Sequence, residues 1–461
     1  MTKSVKITLL KILFRLTSAT YIKEYISYKL YKTKMHTLKK LSCINNRIIY
    51  YSFAFVVLIG VLLTTSIFAQ QYSLDEYLNL PDENVDIATG ALLIEKDIFP
   101  DLDIDMYLQK ISLMTKDLDS LLKNIQLGYD TLTVVNKYFF NNHQYKFQEE
   151  SNFLTDILNN RQGNCASFTT LYISITNRLN LPFYAVLAPS HCFVRYYTKN
   201  KTVNVETTHN GDIHSDEWYA NYLHFGLDSI NKEVYFRPIS KKEMLAAILN
   251  ARANIYLDSN QYKKVIEDCN KVLEILPNMA EALITRGTAY DKLGKIQKAM
   301  ADYTNSLKAC QNNAAVFSNR GLLYEQAGQF EKAISDYNKA LKVNPDFAEV
   351  YYNLGIAFER KGEHQQAVND FTKAIQLKPD YADAYFNRGC VFNIVGMRKE
   401  AIADYNKTIE LGHKTQETYI YRGDCKDAVG DKTGACKDWK IGFEMGYKSK
   451  NRKKILKYCN E

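Results

Sequence analysis

Gly287, Gly321, Gly355, Gly389 and Gly423 stand 34 residues apart, and Gly294, Gly328, Gly362, Gly396 and Gly430 keep the same interval. Ala299, Ala333, Ala367, Ala401 and Ala435 form a third series, followed four residues on by Tyr303, Tyr337, Phe371, Tyr405 and Trp439. Pro277, Pro345 and Pro379 close three of the units, and a less regular first unit carries Ala253, Tyr256 and Val265 in register. A period of this length accommodates two helices and a turn. The first glycine and the alanine are small because helices cross closely there, and the aromatic fills the gap they leave. The second glycine falls in the turn, where a left-handed backbone is easiest for a residue without Cβ. Six such units over 246–445 predict an all-α superhelix in which each unit buries its face only against its neighbours.

The spacing and residue types resemble tetratricopeptide repeats. That resemblance implies a concave groove lined by the first helix of each unit, here Tyr352, Ile356, Phe386 and Cys390 with Asn319, Asn353 and Asn387 beside them. It also implies a protein or peptide partner in the groove. The lysines that clamp a partner's terminal carboxylate are missing from these positions. Asp268, Asp302, Asp336, Asp370, Asp404 and Asp438 recur once per unit, and Arg286, Arg320, Arg388 and Arg422 precede the first glycine in four. Charges that repeat so regularly read as ion pairs inside the array, because a recognition surface varies from unit to unit.

The net charge of +8 is not spread over the chain. Residues 1–50 hold 11 Lys/Arg and one acid, Glu24; taking these from the totals of 59 and 51 leaves 48 basic and 50 acidic residues in 51–461. A nearly neutral body excludes a nucleic-acid binder read from pI alone. Residues 1–49 form a basic leader, and 50–69, YYSFAFVVLIGVLLTTSIFA, are apolar over about the ~20 residues that span a bilayer. Basic residues crowd only the N-terminal side, which keeps the leader cytoplasmic and sends the rest across. Two readings follow: a transmembrane anchor if the segment is uncleaved, or a signal peptide cut near Ala69, with Met35 as the alternative start. The body is then extracytoplasmic on an anchor, or secreted or periplasmic.

The nine cysteines include no CxxC pair, so a zinc ribbon is not supported. Cys425 and Cys436 could pair in an oxidising compartment. His209, His214 and His224 lack the short spacing of zinc ligands, so neither metal nor cofactor is expected.

Residues 72–240 carry no repeat. Val85–Glu95 and Leu102–Leu122 show helical spacing, with Pro100 ending the first. Ala166–Leu179 is again helical, followed by FYAVLA and two further strands, His191–Tyr197 and Thr202–Thr207. Cys165 thus opens a helix, where the dipole and free amides favour a thiolate. His191 opens a strand and can take the thiol proton, and Glu206 on the next strand can hold the other ring nitrogen. Each has a plainer reading: a buried structural thiol, a satisfied core histidine, a carboxylate pairing Arg195. Trp218 reads as core or as a lid.

The surrounding residues add a second resemblance. Arg161 and Gly163 before the cysteine, Leu171-Tyr172, Arg178–Pro182 and Pro189–Tyr196 resemble the transglutaminase-like superfamily of papain-type cysteine enzymes, in the bacterial branch where tetratricopeptide repeats follow. VDIATGALLIEKDIFPDLDIDMYL, residues 85–108, resembles that branch's helical lead-in. The resemblance implies Cys165 as nucleophile, His191 as base and Glu206 as orienting acid, in the place of the family's usual Asp. The expected architecture is an N-terminal transmembrane or signal helix, an α+β transglutaminase-like domain over 72–240, the all-α superhelix over 246–445, and a basic tail over 446–461. One functional reading is a membrane-anchored or exported cysteine hydrolase or transamidase acting on peptide amides. The other is a non-catalytic scaffold carrying a degenerate transglutaminase-like domain.

Overall fold

The computed structural model describes residues 72–460, apart from 124, 126–127, 199–200 and 224–225. The leader, the apolar segment 50–69 and His224 lie outside the described residues. Among the described residues no helix is long and apolar enough to cross a membrane.

The chain opens with helices α1 (Leu74–Leu78), α2 (Ile87–Lys96), α3 (Ile104–Leu122) and α4 (Tyr129–Asn136), the last running into a π-turn over Lys137–Asn142. Asp86 and Asp103 start α2 and α3 by accepting the amides of Thr89 and Met106, satisfying donors with no partner inside the helix. α2 ends at Lys96, four residues before Pro100, so the proline lies in the connection rather than at the helix end. A short parallel pair, β1 (Lys146–Phe147) and β2 (Gln162–Gly163), brackets α5 (Leu154–Asn160). Then come α6 (Cys165–Arg178) and an antiparallel sheet of β3 (Phe183–Ala188), β4 (His191–Tyr197), β5 (Thr202–Glu206) and β6 (Asp212–His214), in that order, with α7 (Asp216–Tyr222) after it.

The two faces of this sheet pack differently. Phe183 pairs with Tyr196, Ala185 with Val194 and Leu187 with Cys192, and this face meets α6 through Tyr172, whose ring centroid lies 5.4 Å from that of Phe183. The alternate residues, His191, Phe193 and Arg195, point the other way, towards α7. There the ring of Tyr219 stacks on Phe193 at 4.1 Å.

Twelve helices follow as six antiparallel pairs: α8 (Lys241–Asp258), α9 (Tyr262–Ile275), α10 (Ala280–Lys292), α11 (Ile296–Ala309), α12 (Ala314–Gln326), α13 (Phe330–Val343), α14 (Ala348–Arg360), α15 (His364–Leu377), α16 (Ala382–Ile394), α17 (Arg398–Glu410), α18 (Gln416–Ala428) and α19 (Lys432–Glu444). The small residues do what the period requires. A Cβ on Gly321 would lie 2.5 Å from Tyr337, and one on Gly355 2.6 Å from Phe371. The turn glycines have φ between 69° and 90°, and Asn260 takes the same conformation, φ 58°, in the first unit. The expected groove residues Tyr352, Ile356, Phe386 and Cys390 are half-buried: Asn387 Nδ2 donates across units to the Tyr352 hydroxyl at 2.9 Å, and within its own unit the Tyr405 hydroxyl lies 3.5 Å from Cys390 Sγ.

The recurring charges are ion pairs inside the array. Arg286, Arg320, Arg388 and Arg422 each grip the aspartate 16 residues on with two hydrogen bonds. Arg252 does the same to Asp268. The unit of α14 and α15 breaks the series, because Leu354 stands where the arginine would be. Burial without a cation pushes the Asp370 carboxyl up to about 6. The sign follows from linkage: the folded protein holds this proton more tightly than the unfolded chain, so the residue favours folding at low pH and that advantage is lost as pH rises through 6. Leu354→Arg should restore the pair and raise the melting temperature at pH 7 more than at pH 4.5. Equal shifts at both pH values would refute this account of Asp370.

The helical array and the sheet-bearing part are bound together closely. Nearly the whole of α2 is buried, and a Cβ on Gly90 would lie 2.4 Å from the Leu245 side chain of α8, which would have to move aside for it. The segment after α7 joins both parts. Phe236 and Ile239 donate to Leu187 and Ala185 at the edge of β3, and Asn231 donates to Ala309 of α11. At the far end, α20 (Arg452–Tyr458) folds back on α19, and a disulfide joins Cys436 to Cys459. The pairing of Cys425 with Cys436, left open from the sequence, is not formed: Cys425 is fully buried with a free thiol. The basic C-terminal segment thus contains the short helix α20.

Candidate functional site

The local sequence fixes Cys165 at the first position of α6. The Asn164 side chain accepts from the amides of Ala166 and Ser167, and the Ser167 hydroxyl accepts from the Asn164 amide at 2.9 Å, a reciprocal cap that sets where the helix begins. Ser167 Oγ is anchored in turn on the Ser151 carbonyl, and the Asn164 side chain on Asn152. Cys165 is half-buried.

His191 starts β4 directly after a two-residue turn, Pro189-Ser190, where the sheet ends. The register of Val194 with Val205 places His191 and Glu206 on the same face, since each lies an odd number of residues from that pair. His191 Nε2 meets Glu206 Oε2 at 2.7 Å, with both side chains largely buried. The second carboxylate oxygen accepts from the Thr208 amide at 2.8 Å and its hydroxyl at 2.6 Å. The Cys165 side chain lies beside the same imidazole and interacts with it. The three residues singled out in the sequence are therefore gathered at one point.

The electrostatics agree with the contacts. A hydrogen bond from the Cys192 thiol holds the Cys165 thiol well below its usual range; burial opposes this, and the His191 side chain adds to it through a hydrogen bond and its charge. Burial pushes His191 down, but contacts with Cys165 and Glu206 overcome it and raise it to about 10. Burial likewise pushes Glu206 up, and its bonds to His191 and Thr208 prevail and lower it. A thiolate beside an imidazolium, with a carboxylate behind, is the charge state these contacts favour.

Three neighbours were not singled out in the sequence. Cys192 follows His191 but faces α6, so its thiol reaches Cys165 from the opposite side of the strand. Thr208 fixes Glu206. Tyr219, fully buried, aims its hydroxyl at Glu206 without completing a hydrogen bond of good geometry. Only Cys192 carried a local signal, its place directly after the histidine. Arg195 does not pair with Glu206; it bonds Asn204, the Phe236 carbonyl and Asp216. His214 stacks on Trp218 at 3.7 Å, Trp218 stacks on Tyr222, and His209 lies against the Thr208 hydroxyl. Among the described residues no group of three His, Cys, Asp or Glu side chains is arranged to hold a metal.

Comparison with known proteins identifies the two parts of the chain. The profile of the transglutaminase-like superfamily matches residues 105–250. Tetratricopeptide repeat profiles match 246–279, 280–313, 326–362 and 348–381. A protein of Xylella fastidiosa (strain 9a5c) named UPF0162 protein is 26% identical over 224 residues, 46% of this chain and 80% of that one. The Escherichia coli (strain K12) UPF0162 protein YchA is 22% identical over 144 residues, 31% of this chain and 53% of that one. The crystal structure of MamA is 31% identical over 34% of this chain and 93% of its own, at a TM-score of 0.33, too low to carry a comparison of architecture. Residues 105–250 thus belong to the transglutaminase-like superfamily, and the chain continues from them into an array of tetratricopeptide repeats.

Proposed function

We propose that this chain is a cysteine hydrolase or transamidase acting on acyl groups of peptide amides, with Cys165 as nucleophile, His191 as acid and base, and Glu206 as the group that orients His191. The observation that carries the proposal is the 2.7 Å bond of His191 Nε2 to the buried Glu206 carboxylate, with the Cys165 side chain beside the same imidazole. The thiolate attacks the acyl carbon, and the proton on His191 passes to the departing amine. Water or an acceptor amine, deprotonated by His191, then releases the acyl group from the thioester. The Asn164 cap takes the amides of Ala166 and Ser167 and not that of Cys165, which makes the Cys165 N–H the proposed oxyanion donor. Glu206 in place of aspartate reaches the ring from one methylene further back, with Thr208 bracing the longer arm. Hydrolysis is favoured over cross-linking because water is always at hand. The repeats supply the surface for a protein or peptide partner, and the one-sided basic leader supports an anchored or exported, extracytoplasmic body.

The test is acyl capture. The reduced protein is mixed with p-nitrophenyl acetate and its intact mass followed, with hydroxylamine and glycine ethyl ester as competing acceptors. The expected result is an acetyl adduct on Cys165 that forms and decays, absent in Cys165→Ala and slowed in His191→Ala. An adduct no more abundant on Cys165 than on half-buried Cys390 would overturn the enzyme reading and leave the scaffold.

A further inference from the structure

The turn that delivers His191 is held from outside its own domain. Ser190 has φ 60°, a left-handed conformation that L side chains rarely adopt, and it immediately precedes the histidine. Its amide donates to Glu281 Oε1 at 2.9 Å. Glu281 lies in the first turn of α10, within the repeat array, 91 residues away. Its other oxygen accepts from the Tyr235 hydroxyl at 2.6 Å, and that hydroxyl accepts from the Ala280 amide at 3.0 Å. Tyr235 is itself almost fully buried. The carboxylate is therefore fixed at both oxygens, and one of the two bonds ends on the backbone of the strained turn.

We infer that Glu281 is a positioning residue for the thiol site: by holding the Ser190 amide it keeps His191 against Cys165, so the array is a working part of the site. Without this acceptor the turn can relax from its left-handed conformation, and the imidazole one residue on moves with it. Sub-ångström placement matters strongly for proton transfer, so a modest relaxation should lower reactivity by about tenfold. The inference rests on the functional reading above, in that it takes Cys165 to be activated by His191.

The experiment measures Cys165 alkylation by iodoacetamide from pH 5 to pH 9 in the full chain. Wild type and His191→Ala first establish whether reactivity depends on His191. Glu281→Ala should then lower the rate at pH 6 by about tenfold and move the profile towards that of a free thiol. Glu281→Gln keeps a carbonyl oxygen for the Ser190 amide and should stay within about twofold of wild type. A merely structural role would reduce thermal stability in both variants and leave the pH profile in place. Should Glu281→Ala not fold, Tyr235→Phe removes the hydroxyl that steadies Glu281 and should shift the profile in the same direction, by less. A folded Glu281→Ala or Tyr235→Phe with the wild-type profile overturns the inference alone, whereas a wild type indifferent to His191 overturns the functional reading and the inference together.

Discussion

Cys165 should alkylate at pH 6 nearly as fast as at pH 8, whereas an ordinary thiol slows by roughly a hundredfold over that interval. The reason is the pairing of charges. With His191 raised to about 10 and Cys165 well below its usual range, thiolate and imidazolium coexist across neutral pH. The contribution of the raised histidine to stability has the matching sign: it is fully present below the ordinary histidine range, near 6.5, and is lost as pH rises through about 10. In His191→Ala the thiolate loses its counter-charge, and the pH 6 rate should fall by about 10²–10³, towards the free-thiol curve. Glu206→Gln keeps the hydrogen bond but not the charge, and should cost about tenfold. Rates measured with iodoacetamide under reducing conditions decide the matter. A wild-type profile that rises tenfold per pH unit from 6 to 8 would mean that the thiol is neutral at rest, and the proposed chemistry would lose its starting state.

The order of the elements was legible because a helix start and a strand start rest on local patterning; the gathering of Cys165, His191 and Glu206 was expected from the resemblance of the residues around them, and the strand register that puts His191 and Glu206 on one face appears only in the fold. The repeats were legible because small residues and aromatics recur at a fixed interval. What escaped notice depends on contacts made across the fold. Glu281 sits in a helical turn like any exposed acid, and its partner amide is 91 residues distant. Arg252 was missed because its unit has Ala253 where the later units have glycine, although the pair with Asp268 is formed as in the others. The disulfide could not be assigned because spacing does not show that Cys425 is buried in the array, while Cys436 reaches Cys459.

Arg252→Ala should be among the most damaging single substitutions, lowering unfolding free energy by about 3–5 kcal/mol. Only 2% of the residue is exposed. Its guanidinium bonds both oxygens of Asp268 at 2.8 and 2.6 Å, the Ile94 carbonyl at 2.8 Å and Asp97 at 2.5 Å. One side chain thus ties the first repeat to the end of α2. Truncation leaves the buried Asp268 without its cation and the Ile94 carbonyl without a donor, and removing one partner of such a pair costs more than the pair is worth. Arg252→Lys should recover only part, since an ammonium cannot match the two-pronged grip. Arg422→Ala is the comparison: Asp438 keeps Lys426 at 2.9 Å, so the loss there should be about 1–2 kcal/mol. Urea unfolding of the three variants measures this, and a loss below about 1 kcal/mol in Arg252→Ala would show that the joint tolerates an unpaired charge.

The Cys436–Cys459 bond bears on how the array comes apart. In a stack where each unit leans only on its neighbours, the outermost unit has a single neighbour and frays first. At the near end that role is taken away, because α8 is sealed under α2. At the far end the seal is the short helix α20, stapled through Cys459. Reduction therefore unlatches one end and leaves the other closed, and the array should unzip from its C-terminus in one direction. Hydrogen exchange would then spread from α19 towards α8, reaching the thiol site last.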